Sequence, residues 1–209
     1  MTYTSVLGAL CLVLGISFAW PQVIRVYRVK SVEGISPRGQ LHGLSGCVLW
    51  TIYSYVQTIT PFMIANTFVL TAMILVTAAL VRHRKMPLWH LLGVLAGFAA
   101  FGIGMSMISP AIAGWFAIVI GATSIIPQAV YVLRYANLSG VSIGMYGLMV
   151  VNGVAWTLYG IAIGDLLVCF PNLILVPCAL MISAKALVYQ RKKSRATAAA
   201  AEAAELARA

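Results

Sequence analysis

The stretch "FAWPQVIRVYRVKSVEGIS" at residues 18–36 is echoed by "IIPQAVYVLRYANLSGVS" at residues 125–142. Each ends an apolar run with Pro-Gln, places an Arg six residues on, and closes with Gly-x-Ser. The register between the copies is 106 residues, and it holds without a gap over a long stretch. Gly8 aligns with Gly114, Gly15 with Gly121, Pro21 with Pro127, Gln22 with Gln128, Arg28 with Arg134, Gly34 with Gly140 and Ser36 with Ser142. Further along, Trp50 aligns with Trp156, Thr51 with Thr157, Tyr53 with Tyr159 and Asn66 with Asn172. Apolar segments match one another by chance. Pro, Gln, Trp, Tyr and Asn in one register do not, so the chain is an internal duplication.

Each copy spans apolar runs long enough to cross a bilayer, which takes about 20 residues. Seven are predicted: about 4–26, 39–57, 61–81, 88–107, 111–134, 143–163 and 166–188. Composition requires a membrane setting for them. Of the 209 residues 62% are hydrophobic and only 9% are charged, against roughly 25% charged in soluble domains. Mean hydropathy is +0.97. The first run has no Lys or Arg before it and reads as a spanning helix rather than a cleaved signal.

A net charge of +10 would suit nucleic acid, but its distribution assigns it to topology. All fourteen Lys and Arg fall at the last residues of runs 1, 5 and 7, in the connections after runs 1 and 3, or beyond run 7. The connections near residues 58–60, 106–110 and 164–165 hold none. The positive-inside rule then predicts an outside N-terminus, a cytoplasmic C-terminus and an odd number of crossings. A three-helix unit repeated directly would arrive upside down, yet both Pro-Gln ends lead into basic loops. One extra helix between the units reverses the chain.

The expected fold is therefore an all-α membrane protein of seven transmembrane helices in a 3+1+3 order. It has a first three-helix repeat over 4–81, a linker helix over 88–107, a parallel second repeat over 111–188 and a cytoplasmic tail over 190–209. Such repeats place a solute site at their interface near mid-membrane.

Pro21 and Pro127 each remove a backbone donor and crowd the carbonyl four residues back, at Ser17 and Thr123. With the amides of Gln22 and Gln128 nearby, they are read as a pair of hinges. Tryptophan prefers the membrane interface, a role that suits Trp20, Trp89 and Trp115. Trp50 and Trp156 sit deeper, about seven residues or roughly 10 Å from the outer helix ends. Asn66 and Asn172 reach a similar depth on the next helices. An amide in hydrocarbon is costly unless paired. The four are read as the lining of a shared cavity, with amides for solute hydroxyls and indole faces for ring surfaces. Tyr53 and Tyr159 follow each Trp on the same face and rank second. Plain core packing, and helix–helix bonding by the asparagines, is the competing reading.

The acidic residues are Glu33, Asp165, Glu202 and Glu205, and none falls inside a predicted span. Ion-driven transport generally uses an intramembrane ionisable group, so passive movement of a neutral solute is expected. Cys11, Cys47, Cys169 and Cys178 have neither zinc nor disulfide spacing. His42, His83 and His90 show no metal spacing and are expected at the surface. Neither a nucleophile–base pair nor a carboxylate dyad is legible, so neither an enzyme nor a cofactor is predicted. The expected contacts are a small solute and the bilayer, not nucleic acid; the run "RKKSR" reads as a stop-transfer flank.

The duplicated Pro-Gln with its basic loop, then Trp-x-x-Tyr and Asn, resembles the PQ-loop superfamily. Within it the chain is similar to the SWEET and SemiSWEET (MtN3/saliva) sugar transporters. "WTLYGIAIGDLLVCFPNLILV" at 156–176 carries the pattern most fully, whereas the first copy has Ser54 in place of its Gly and no Asp before Pro61. The resemblance implies a uniporter for mono- or disaccharides working by alternating access in a cell membrane. It implies a pocket at Trp50, Asn66, Trp156 and Asn172, and hinges at Pro21 and Pro127. A homo-oligomer is compatible with it. Residues 39–46 and 145–152 lack the extra prolines of plant and animal members, which is closer to bacterial ones. An exporter of amino acids or other small metabolites, and a non-transporting receptor or scaffold of the same fold, are the alternative functions.

Overall fold

The computed structural model describes residues 2–32, 35–134, 138, 141 and 143–206, with only the backbone of Arg25, Val29, Gln128, Tyr131 and 201–205. The expectations for Glu33, Gly34, Gly140, Ser142 and the Gln128 side chain lie outside the described residues.

Among the described residues eight α-helices follow in order: α1 (Tyr3–Val29), α2 (Pro37–Val56), α3 (Thr60–Arg82), α4 (Leu88–Ile108), α5 (Pro110–Thr123), α6 (Ile126–Arg134), α7 (Ile143–Ile163) and α8 (Phe170–Leu206). A 3-10 turn, Leu166–Val168, leads into α8. Proline starts mark the sequence signals: Pro37, Pro61 and Pro110 lie in the first turns of α2, α3 and α5, where a missing N–H costs nothing. Thr2 and Ser36 accept from the amides of Ser5 and Gly39 as N-caps.

One expectation needs correction: the fifth run, expected as one helix over 111–134, is broken at Ser124 and Ile125, just before Pro127. The last helix runs on past Gln190 to Leu206. At 37 residues it is about 55 Å long. Gln190 is also structural: its Nε2 donates to the carbonyls of Leu138 and Val141 at 3.2 and 2.9 Å.

Among the described residues five helical stretches are long and apolar enough to cross a membrane: Tyr3–Arg28, Thr60–Arg82, Leu88–Ile108, Ile143–Ile163 and Leu166–Ala200. With α5 shortened by the break, α5 and α6 together cover the fifth expected run. α2 misses the threshold because its polar residues serve the interior. Gln40 donates to Met73 O and Thr77 Oγ1, and Ser45, Thr51 and Ser54 donate to carbonyls of their own helix. Polar side chains so satisfied are tolerated inside a bundle. The protein is an integral, multi-pass, all-helical membrane protein.

Within the first repeat α3 packs on both α1 and α2; within the second, α8 packs on α5, α6 and α7. Between repeats α1 meets α7 and α2 meets α5, the same pairing under the 106-residue register. The α4 helix lies along α2 and α5. There Gly102 receives the side chains of Leu49 and Ile52, and Phe101 meets Phe116 edge-on at 4.8 Å.

The duplication extends to turn geometry. After α2 the chain reverses at Thr58 (φ 52°), and after α7 at Gly164 (φ 74°), equivalent positions in the register. Ile59 N bonds Ser54 O and Asp165 N bonds Gly160 O, again at equivalent positions. A left-handed residue closing a helix with such a bond is a Schellman-type stop. Glycine takes this φ freely; Thr58 takes it at a cost.

Candidate functional site

The two turns meet at one end of the bundle. Thr58, Ile59 and Thr60 line a cleft there with Gly164, Asp165 and Leu167, closed on its inner side by Tyr53 and Tyr159. Its volume is about 620 Å³. The starts of α1 and α5 reach the same rim. A Cβ added to Gly8 would stand 2.9 Å from Pro61 Cγ and 3.0 Å from Tyr159 Cε2. One added to Gly114 would stand 2.9 Å from Leu167 Cδ1 and 2.8 Å from Tyr53 Cε2. These are equivalent pairs, so each repeat lays its tyrosine on the other's first helix.

A hydrogen bond spans this rim: Tyr53 Oη donates to Asp165 Oδ2 at 2.7 Å. Asp165 also caps the 3-10 turn, its Oδ1 accepting from Leu167 N at 3.0 Å. The carboxylate is thus held in place by the second repeat while it accepts from the first. Asp165 was not among the residues singled out from sequence. The signal was present, because Asp165 is the acidic residue that interrupts a charge-free turn, but its partner is 112 residues away.

Beneath the rim lies an aromatic layer. Trp50 and Trp156 both pack on Phe62, at centroid distances of 5.4 and 5.0 Å. Each Trp also meets the Tyr three residues later edge-on, at 5.6 Å for Tyr53 and 5.7 Å for Tyr159. Edge-to-face contacts in this range are favourable. Phe62 corresponds to Val168 in the register, so one bulky ring fills the centre from the first repeat only. Sequence reasoning missed it, since a Phe in a spanning helix carries no polar signal.

Trp50, Tyr53, Trp156 and Tyr159 therefore come together. Asn66 and Asn172 lie one turn farther from the rim on α3 and α8. Both are half-buried, and each Nδ2 donates to the carbonyl four residues back, Phe62 O at 2.9 Å and Val168 O at 3.2 Å. Neither Oδ1 carries a hydrogen bond among the described residues. Each amide thus keeps an acceptor and one N–H for a ligand.

Of the expected hinge residues, Pro21 lies inside an unbroken α1, while Pro127 follows the α5–α6 break. The expected anchors divide as well: Trp89 and Trp115 are 68% and 50% exposed, but Trp20 is half-buried against Phe68 with its Nε1 enclosed and unpaired. His42, expected at the surface, is half-buried and bonds Ile120 O at 2.8 Å and Thr123 Oγ1 at 3.0 Å. All four cysteines are free. Among the described residues no His, Cys, Asp and Glu cluster could hold a metal.

A duplicated helical membrane protein whose repeats share one aromatic-lined interface is the class that fold and site define. The PQ loop repeat profile matches residues 3–63 and 110–168, together more than half of the chain, and the chain belongs to the PQ-loop repeat family. A solved structure of a eukaryotic SWEET transporter superposes with a TM-score of 0.74 at 15% identity, covering 91% of this chain and all of that one. Its fold is SWEET-like. No curated protein matches the chain by sequence.

Proposed function

We propose that this protein is a facilitative uniporter that moves a neutral, hydroxyl-rich solute, a mono- or disaccharide, by alternating access. Seven crossings in a 3+1+3 order, with α5 and α6 as one crossing and α4 as the linker, put both Tyr–Trp pairs at the outer side. The basic loops then face the cytoplasm across the plasma membrane. The protein binds and releases its solute without chemistry on it.

The observation that carries this reading is the Tyr53–Asp165 bond. It joins the repeats between the cleft and the aromatic layer. Solute would rest below it, with the Trp50 and Trp156 faces against its apolar ring surface and the Asn66 and Asn172 amides on its hydroxyls. Breaking one neutral-to-charged hydrogen bond, worth about 1.5–3 kcal/mol, is a cost that solute binding can offset. Pro21 and Pro127, with Gln22 and Gln128, are the proposed hinges. The SWEET-like fold supports sugar as the solute class, as does the absence of an acidic side chain within the described spans.

The test is tracer flux into vesicles holding the purified protein, with sugars and amino acids, with and without an imposed pH gradient. Sugar equilibration that ignores the gradient is expected. Concentrative uptake driven by protons, or flux of amino acids alone, contradicts the proposal.

A further inference from the structure

The break between α5 and α6 takes the backbone donor from a carbonyl, and the other repeat supplies it a further one. In an unbroken helix Ser124 N would donate to Ile120 O. Here Ser124 N turns to Gly121 O at 3.2 Å, and Ser124 Oγ donates to the same oxygen at 2.7 Å. Pro127 has no N–H for Thr123 O. Ile120 O thus loses its backbone donor and keeps only the Thr123 hydroxyl, 3.1 Å away and shared with Val119 O at 2.6 Å; a part-buried carbonyl gains from a further donor. The ring of His42, on α2 of the first repeat, lies against it: Nε2 is 2.8 Å from Ile120 O and 3.0 Å from Thr123 Oγ1. With Nε2 protonated the ring donates where Ser124 no longer does. Close helix packing keeps it there, since a Cβ on Gly46 would stand 2.9 Å from Gly121 Cα.

The duplication provides an internal control. Pro21 occupies the position of Pro127, and Leu14 that of Ile120. Where His42 stands in the first repeat, the register places Leu148 in the second, and leucine has no donor. The helix that α7 meets across the repeats is α1, which runs from Tyr3 to Val29 through Pro21 without a break. One proline sits at an open hinge and its equivalent does not, and the broken helix is the one that receives a cross-repeat donor. The Ser124 hydroxyl, where α1 has Phe18, acts in the same direction.

We propose that His42 is a positioning residue that holds the hinge of the second repeat open from the first repeat, by donating to the carbonyl that the break exposes. Its contribution to transport rests on the alternating-access reading; its hold on the break does not. The two are separated by following hydrogen exchange over residues 121–128 of the full chain in lipid nanodiscs, and tracer sugar flux in vesicles. In His42→Leu the helix should close over Ser124 and Ile125, slowing exchange there about tenfold, the worth of roughly one hydrogen bond, with a fall in flux of similar size. His42→Gln keeps an N–H donor and should hold both near the wild-type values. Unchanged or faster exchange in His42→Leu overturns the proposal, as does a Gln variant that behaves like the Leu variant. If the wild-type protein carries no sugar the transport reading fails, and the exchange comparison still decides the role of His42.

Discussion

The phenol of Tyr53 in the first repeat and the carboxylate of Asp165 in the second meet in a 2.7 Å hydrogen bond. No other described side chain of α2 bonds the turn after α7. Their equivalents, Tyr159 and Ile59, cannot make the same contact, because Ile59 has no acceptor. The closure is therefore made once, off the pseudo-symmetric plan, by a residue that only the second copy carries.

Tyr53→Phe should loosen that closure while preserving the ring contacts with Trp50 and Phe62. Loss of about 1.5 kcal/mol corresponds to a roughly tenfold larger open fraction. Cys11, fully buried beneath the rim, reports it. In a variant retaining only that cysteine, a small membrane-impermeant thiosulfonate added outside should react about tenfold faster once Tyr53 is Phe. An unchanged rate would show that the bond does not close the rim.

The α2–α5 seam depends on Gly46 and Gly121 touching backbone to backbone. Gly46→Ala must push the helices apart, and overpacking of this kind costs about 1–3 kcal/mol. A Cβ on Gly93 of α4 meets nothing within 4 Å, so Gly93→Ala serves as the control. Thermal unfolding in detergent, followed by recovery of monodisperse protein, should fall by several degrees for the first and stay level for the second. Equal melting would mean that the seam yields freely.

Much of this architecture was legible because membrane helices and duplications write themselves in patterns that local chemistry preserves. The turns at Thr58 and Gly164 and the packing of Trp50 and Trp156 on one Phe62 follow the same 106-residue register that the sequence carries. What escaped were features decided by partners far apart in the chain. Asp165 read as a loop acid, and His42 as a surface histidine, because their partners lie on the other repeat. Phe62 carries no polar signal and drew no reading from the sequence. The break at Ser124 was hidden because Pro21 and Pro127 look alike locally, yet of these two only Pro21 lies in an unbroken helix.

That difference between the prolines makes its own prediction. Pro127→Ala restores an N–H that can reach Thr123 O, favouring a continuous α5–α6 helix. Exchange over 124–127 should slow and flux should drop severalfold. Pro21→Ala acts on a helix already continuous and should change exchange little over 17–24. Equal effects at both prolines would contradict unequal hinges.

Phe62→Ala removes the ring on which both tryptophans rest. A buried Phe truncated to Ala costs about 3–5 kcal/mol where the void cannot collapse. The variant should unfold at a clearly lower denaturant or temperature midpoint than Phe62→Leu. A midpoint unmoved by Phe62→Ala would mean that water already fills the layer.

The most direct test of the account is sugar flux through Trp156→Ala and Asn172→Ala variants that insert and purify like wild type. The account predicts that each abolishes uptake into vesicles, because solute rests between the repeats on those groups. Wild-type uptake by both variants would contradict it.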